Sequence, residues 1–334
     1  MRLVQLIHPQ AKRRIALVEE PNLRLINKFE SIYDLAVEAI NLGGNITALI
    51  DSFKSGDILS YDQIYNGDDQ WRLLPAIDHP KDPMRCFLAG TGLTHKASAE
   101  NRQKMHDAEH GGELTDSMKM YQWGVADGKP ESGKIGIQPE WFYKGNGSVL
   151  RGHLDDLKVP CYGDDGGEEP EIAGIYLNDQ NGKTWRIGFA TANEFSDHVM
   201  ERKNYLYLAP SKIRTCSLGP ELNITADFTD IEGRVSVERR GQIIWEKSIK
   251  TGENNMAHSL ESLEYHHFKY ENHSLDDQLN IYFFGADAFS FGDGVALQDE
   301  DTMTIEWKGM GRPIRNTLTI DPEKERIVKV KALK

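Results

Sequence analysis

The spacing of short β-forming runs is what most constrains the fold of this chain. From Trp141 onward, segments rich in Val, Ile, Tyr, Phe and Trp are separated by Gly, Asp and Asn turns. They include Glu171–Leu177, Trp185–Thr191, Ile224–Phe228, Val235–Glu238, Ile243–Lys247, Leu279–Phe284 and Met303–Trp307. Asn178-Asp179-Gln180-Asn181-Gly182 and Arg240-Gly241 read as hairpin turns. One helical pattern, Leu260–Tyr270, interrupts the series. A doubly wound parallel sheet needs a helix after almost every strand, so that architecture is excluded. The expected class is α+β with a large β-rich domain.

Upstream the pattern differs. Leu3–Ile7, Arg14–Val18 and Leu23–Ile26 have strand character. Ser31 can cap a helix through Tyr33, Leu35, Ala36, Ala39 and Ile40, which Gly43-Gly44 ends. Asn45 can cap a second helix through Leu49 and Phe53, ending at Gly56. We therefore expect a small mixed α/β domain over residues 1–80 and a catalytic domain over 81–334. A strand over Met84–Ala89 leads into Gly90-Thr91-Gly92-Leu93-Thr94-His95. The polar stretch from Ser98 to about Trp123 reads as one or two amphipathic helices over a cleft.

With 39 Lys+Arg against 52 Asp+Glu, the net charge is −13, which repels phosphate backbones and disfavours nucleic acid as a partner. No apolar run approaches the ~20 residues of a membrane helix, and the first eight residues are too broken for a signal-peptide core. Cys86, Cys161 and Cys216 are odd in number and far apart, so the reducing cytoplasm is the expected compartment.

Three features carry chemistry. In Glu169-Pro170-Glu171, residues two apart on an extended chain point to one face. Two carboxylates held that close need a shared proton or a cation, and hard oxygen donors suit Mg²⁺, Mn²⁺ or Ca²⁺. The plainer alternative is a solvated acidic edge, since Asp164, Asp165 and Glu168 lie nearby. Asn193-Glu194 ends the next predicted strand, and the hairpin at Asn181-Gly182 returns it to the same end of the sheet. Glu194 thus becomes a third carboxylate there, or else the acid at the start of a short helix. Lys212, in Ser211-Lys212-Ile213-Arg214, has apolar neighbours that would lower its pKa and make it a base or a carboxylate ligand; the alternative is an exposed lysine. His106-Asp107-Ala108-Glu109-His110 matches a zinc-protease pattern without apolar periodicity to bury it, and a solvated face is the expected reading. Gly90-x-Gly92 and Gly145-x-Gly147 lack the rest of a phosphate loop and read as turns.

Taken together, residues 84–320 resemble the fumarylacetoacetate hydrolase family. The matching pieces are Glu169-Pro170-Glu171-Ile172-Ala173, Gly188-Phe189-Ala190-Thr191-Ala192-Asn193-Glu194, Lys212, Gly219-Pro220, Gly309-Met310-Gly311 and Asn316-Thr317. The branch that the chain resembles most is the 2-keto-3-deoxy-sugar-acid dehydratases. Pro139-Glu140-Trp141-Phe142-Tyr143-Lys144, Glu169-Pro170-Glu171 and Asn204-Tyr205-Leu206-Tyr207-Leu208-Ala209-Pro210-Ser211-Lys212-Ile213 carry that likeness. The resemblance implies the family's mixed β-roll, a homodimer, and a divalent metal, usually Mg²⁺, on Glu169, Glu171 and Glu194. The third ligand is normally Asp, one methylene shorter than Glu194.

The chain also departs from the family's C–C hydrolases. They place Glu three residues after a His, where this chain has Ser98 after His95; Glu100 comes two residues later. Their Gly-Thr-Pro is replaced by Gly285-Ala286-Asp287, and an Arg by His198. These losses weigh against hydrolysis more than against metal-assisted enolisation. The expected activity is that of a Mg²⁺-dependent hydro-lyase converting a 2-keto-3-deoxypentonate to 2,5-dioxopentanoate in pentose degradation. The alternatives are a C–C hydrolase or decarboxylase of an acylpyruvate or oxaloacetate, and a non-catalytic sensor that kept the fold. In the dehydratase reading Lys212 takes the C3 proton and Glu140 or His95 protonates the departing C4 hydroxyl. Lys144, Ser98 and Asn193 are the candidate contacts to the 2-keto acid, and residues 95–123 are a candidate closing element.

Overall fold

The computed structural model describes residues 1–10, 12–110 and 114–333, and their side chains except those of 104–110. Its centre is the hairpin Pro170–Asn178 and Thr184–Asn193. Asp179 turns it, its carboxylate accepting from the amides of Asn181 and Lys183, and Gly182 takes the left-handed conformation the turn requires. All nine residues of Pro170–Asn178 are buried. Alternate side chains feed two cores. Ala173, Ile175 and Leu177 join Leu3, Ile15, Ile26, Leu35 and Leu88 on one face, while Ile172 and Tyr176 join Phe189, Val235, Ile305 and Trp307 on the other.

The hairpin lies in a twelve-stranded mixed sheet. Along its main path the order is Lys54–Ser60, Asn22–Ile26, Arg13–Glu19, Arg2–Ile7, Cys216–Asn223, Thr184–Asn193, Pro170–Asn178, Leu279–Phe283, Cys86–Gly90 and Phe142–Asn146. Most pairs are antiparallel; Leu279–Phe283 with Cys86–Gly90 is parallel. A five-stranded sheet, Gln242–Thr251, Ile231–Arg239, Thr302–Trp307, Ile314–Ile320 and Leu157–Val159, supplies the second core's other wall. The hairpin at Arg240-Gly241 has φ of +52° and +77°, the pair of positive values that a two-residue turn between twisted strands demands.

The N-terminal strands enter the large sheet through Arg2–Ile7, which pairs with Cys216–Asn223. Helices Ile32–Asn41 and Ile46–Phe53 begin at Ser31 and Asn45, whose side chains accept from the amides of Asp34 and Ala48.

Several expectations need correction. The second helix stops at Phe53, because Lys54–Ser60, including Gly56, pairs with Asn22–Ile26. The Met84–Ala89 strand begins at Cys86; Asp82 caps a short turn over Pro83–Arg85 first. No strand covers Ile224–Phe228, since the Asn223 side chain accepts from the Thr225 amide and hydroxyl and turns the chain there. Phe228 instead joins the second core, and Ile224 and Ala226 pack beside the cores.

Candidate metal centre and active site

Pairing Pro170 with Asn193 brings Glu169, Glu171 and Glu194 to one end of the central hairpin. The join is tight. The Glu194 amide donates to the Glu169 carbonyl at 3.0 Å, and Asn193 Oδ1 accepts from the Glu169 amide at 3.2 Å. Trp307, fully buried, donates to the Glu171 carbonyl at 3.0 Å. One carboxylate oxygen from each of the three glutamates lies within 4.8 Å of the others, and all three side chains are buried.

Their partners differ, and so do their charges. Lys212 Nζ donates to both oxygens of Glu169, at 2.8 and 2.6 Å, and lies 3.3 Å from Glu194 Oε2. His198 Nε2 is 3.0 Å from Glu169 Oε1. Burial alone would raise Glu169, yet Lys212 and His198 hold it well below the usual carboxylate range. The Glu171 carboxylate accepts from the Gly285 amide, at 2.7 Å. Burial, with the charges of Glu194 and Glu169, pushes it well above that range. Glu194 is raised to about 8, by burial against the opposing pull of Lys212, and its Oε1 is buried with no partner among the described residues. A buried oxygen donor without a partner costs stability. Three hard donors, two of them held back from ionising by burial and by neighbouring carboxylates, fit a divalent cation.

Lys212 departs from the sequence expectation. It is buried, as one of the two sequence readings had it, at the end of the short helix Leu208–Lys212, and desolvation alone would lower its pKa. Glu169 and Glu194 outweigh that and raise it, so Lys212 is held protonated rather than poised as a free base.

A polar cavity opens over the three carboxylates, walled also by Gly92, Ser98, Arg102, Lys212 and Phe289. Glu140 sits beside it, its Oε1 held by Arg102 Nη1 at 2.9 Å and Tyr205 OH at 2.7 Å. Three other candidates lie behind the wall. His95 is fully buried between the hydroxyls of Thr94, at 2.9 Å, and Thr251, at 3.2 Å, and desolvation lowers it to about 3. Lys144 donates to the carbonyls of Glu194, at 3.3 Å, and Phe195, at 2.5 Å, and burial lowers it to about 8. Asn193 is spent on the Glu169 amide. The side chains of His106, Glu109 and His110, and all of Gly111-Gly112, lie outside the described residues.

Four contributors were not singled out from the sequence as site residues. Arg102 and Glu201 form a buried pair at 2.8 Å, Tyr205 reaches Glu140, and the Gly285 amide serves Glu171. Arg102 stands on the polar helix Lys96–His110, whose composition reads as a solvated face. Only Tyr205 lay within a segment that carried the resemblance.

No protein-family model matches the sequence, and no curated protein matches it. Solved structures do. A 2-keto-3-deoxyarabinonate dehydratase aligns with TM-score 0.71 and 19% identity over 97% of this chain and 100% of its own. A 2-keto-3-deoxy-D-arabinonate dehydratase complexed with magnesium and 2,5-dioxopentanoate aligns with TM-score 0.70 and 19% identity over the same shares. A 5-carboxymethyl-2-hydroxymuconate delta-isomerase from Mycobacterium smegmatis aligns with TM-score 0.57 and 17% identity over 96% of this chain and 100% of its own. The chain thus has the α+β, fumarylacetoacetate-hydrolase-like fold that the resemblance implied. Among the described residues, no helix is long and apolar enough to cross a membrane.

Proposed function

We propose that the protein is a divalent-metal-dependent dehydratase of a 2-keto-3-deoxy sugar acid, converting a 2-keto-3-deoxypentonate to 2,5-dioxopentanoate. The observation that carries this reading is the buried triad Glu169, Glu171 and Glu194 with Lys212 against it. The fold shared with a dehydratase complexed with magnesium and 2,5-dioxopentanoate supports it. Glu169, Glu171 and Glu194 would hold the cation, Mg²⁺ by preference. Bound there, a cation supplies Lewis-acid stabilisation to the enolate of a 2-keto acid.

The remaining chemistry falls to the chain's own groups. Lys212 Nζ takes the C3 proton. It is held protonated by Glu169 and Glu194, so it becomes a base only when their charge is neutralised. Glu140 delivers a proton from Oε2 to the departing C4 hydroxyl, and the unsaturated keto acid left behind tautomerises to the dioxo product. Ser98, in the cavity wall, is the proposed contact for the substrate's polar groups. Lys144 and Asn193 act from behind, fixing the backbone that presents Glu194 and Glu169. His95, enclosed by two hydroxyls and held neutral, is not placed to activate water, which weighs against the hydrolase reading.

Residues 1–80 and 81–334 as two units, a homodimer, and a cytoplasmic location with free thiols at Cys86, Cys161 and Cys216 complete the proposal.

The test is a Mg²⁺-dependent assay on the 2-keto-3-deoxypentonates of both stereochemical series, with product read through a semialdehyde dehydrogenase and an acylpyruvate run in parallel. Semialdehyde from a pentonate, abolished by a chelator, is the expected result. Acylpyruvate cleavage without it would overturn the proposal in favour of hydrolysis.

A further inference from the structure

Two buried carboxylate oxygens at this site have no partner among the described residues: Glu194 Oε1 and Glu140 Oε2. Each points at a glycine of Gly90-Thr91-Gly92. A Cβ on Gly90 would lie 2.4 Å from Glu194 Oε1, and a Cβ on Gly92 would lie 2.0 Å from Glu140 Oε2. Neither glycine has a positive φ, so conformation does not require glycine at either position. What requires it is space. Thr91 and Gly92 line the cavity over the metal carboxylates. The segment therefore makes room for both oxygens, which occupy the space that side chains at Gly90 and Gly92 would take.

The orientation of Glu140 is imposed from outside the cavity. Its Oε1 takes both available donors, Arg102 Nη1 and Tyr205 OH. Arg102 is itself clamped from the other side by Glu201, through Nε at 2.8 Å. All three side chains belong to residues at most 6% exposed. A planar guanidinium that bonds two carboxylates along different edges fixes both in direction. With Oε1 taken, Oε2 is the oxygen of Glu140 left without a partner, lying against Gly92 in the cavity wall.

We propose that Arg102 and Gly92 are positioning residues for the elimination half of the reaction: Arg102 turns Glu140 so that Oε2 stays unpaired at the edge of the cavity, and Gly92 gives that oxygen the space it occupies there. This rests on the dehydratase reading above. The two halves of that reaction then have separate owners. Lys212 breaks the C3–H bond and keeps the proton. Afterwards the C4–O bond breaks, the Oε2 proton of Glu140 joins the departing oxygen, and water leaves as the C3=C4 bond forms.

The experiment separates the halves. Arg102→Gln, Arg102→Lys, Tyr205→Phe and Gly92→Ala are compared with the native protein. Semialdehyde formation is followed beside exchange of the C3 hydrogens in D₂O by proton NMR, with near-UV circular dichroism to establish that each variant is folded. The expected result for Arg102→Gln and Gly92→Ala is a fall in dehydration of about 10²–10³-fold, the worth of one positioned acid. C3 exchange should stay within about threefold of native, and KM should change little. Tyr205→Phe, which keeps the arginine, should fall less. Arg102→Lys should recover only part of the loss, because an ammonium cannot hold two carboxylates in the same fork. Equal loss of exchange and dehydration, or dehydration unaffected in folded Arg102→Lys and Gly92→Ala, would overturn the assignment. A native protein that dehydrates no 2-keto-3-deoxypentonate would overturn the underlying reading instead, and this inference with it.

Discussion

Lys212 and the three glutamates show how strongly one buried charge depends on the next. Desolvation disfavours every ion here, yet Lys212 and Glu169 are both held charged because they lie 2.6 Å apart. Glu171 and Glu194 feel Lys212 less than they feel burial, and are pushed towards the neutral form. Lys212→Met should cut turnover by about 10²–10⁴-fold while Mg²⁺ still binds, as calorimetry would show. Turnover near the native rate would remove Lys212 from the base role.

The same site makes a pH prediction. Glu194 is at about 8 when folded against an ordinary 4.5, so folding without metal retains a proton that the unfolded chain has lost. That contribution to stability is complete below pH 4.5 and is lost as pH rises through about 8. A bound cation takes the proton's place, so metal affinity grows with pH. The difference in Tm between Mg²⁺-loaded and chelated protein should therefore be larger at pH 8 than at pH 6. Buried neutral histidines such as His95 and His267 titrate alike in both forms and cancel from that difference. A gap that narrows with pH would contradict the assignment of Glu194.

At the level of elements, the hairpin positions the site and its neighbour strand positions the hairpin. Gly188 lies where Thr184–Asn193 passes Cys216–Asn223, and a Cβ there would come 2.5 Å from the Asn223 carbonyl oxygen. Backbone cannot move aside as a side chain can. Gly188→Ala should destabilise the protein by about 1–3 kcal/mol, the usual cost of overpacking, and weaken Mg²⁺ binding by shifting Glu194 six residues on. Denaturant melts and metal titrations would check both.

These elements were unequally legible. Pro170–Asn178 and Thr184–Asn193 announce themselves through β-branched residues around an Asn-Gly turn. Cys216–Asn223 does not, because Ser217, Glu221 and Asn223 interrupt its apolar pattern. All three are buried and find partners across the fold: Ser217 on Asn316, Glu221 on Tyr61 and Arg2, Asn223 on Gly309. A local reading cannot supply partners from that far along the chain.

Across the whole molecule, residues 1–80 do more than sit beside the catalytic part. Leu3, Ile15, Ile26, Ile32 and Leu35 share one core with Ala173, Ile175, Ala190 and Leu218. Arg312 ties the C-terminal region to Glu20 and Asp62 and lies 3.9 Å over the Tyr61 ring. A chain of residues 81–334 alone would expose that core and leave Leu222 and Asn223 unpaired along one edge of Cys216–Asn223. It should show strand content by far-UV circular dichroism but lack the near-UV signal of fixed packing, and it should aggregate. A soluble, cooperatively melting fragment would refute this.

The linear chain determined the class of fold and marked Glu169, Glu171 and Glu194, the three carboxylates that the structure brings together. Period-two β-runs, an Asn-Gly turn and a Glu-x-Glu spacing are local facts, and strand geometry converts them directly into a carboxylate face at one sheet end. It also marked Lys212 and Glu140 through a short resemblance. The charge of Lys212, the enclosure of His95 and the clamp of Arg102 between Glu140 and Glu201 were decided only by the tertiary structure. Each is a balance between desolvation and a partner brought from elsewhere in the chain. In a low-dielectric interior that balance depends on distances of a few ångströms, which a linear pattern does not encode.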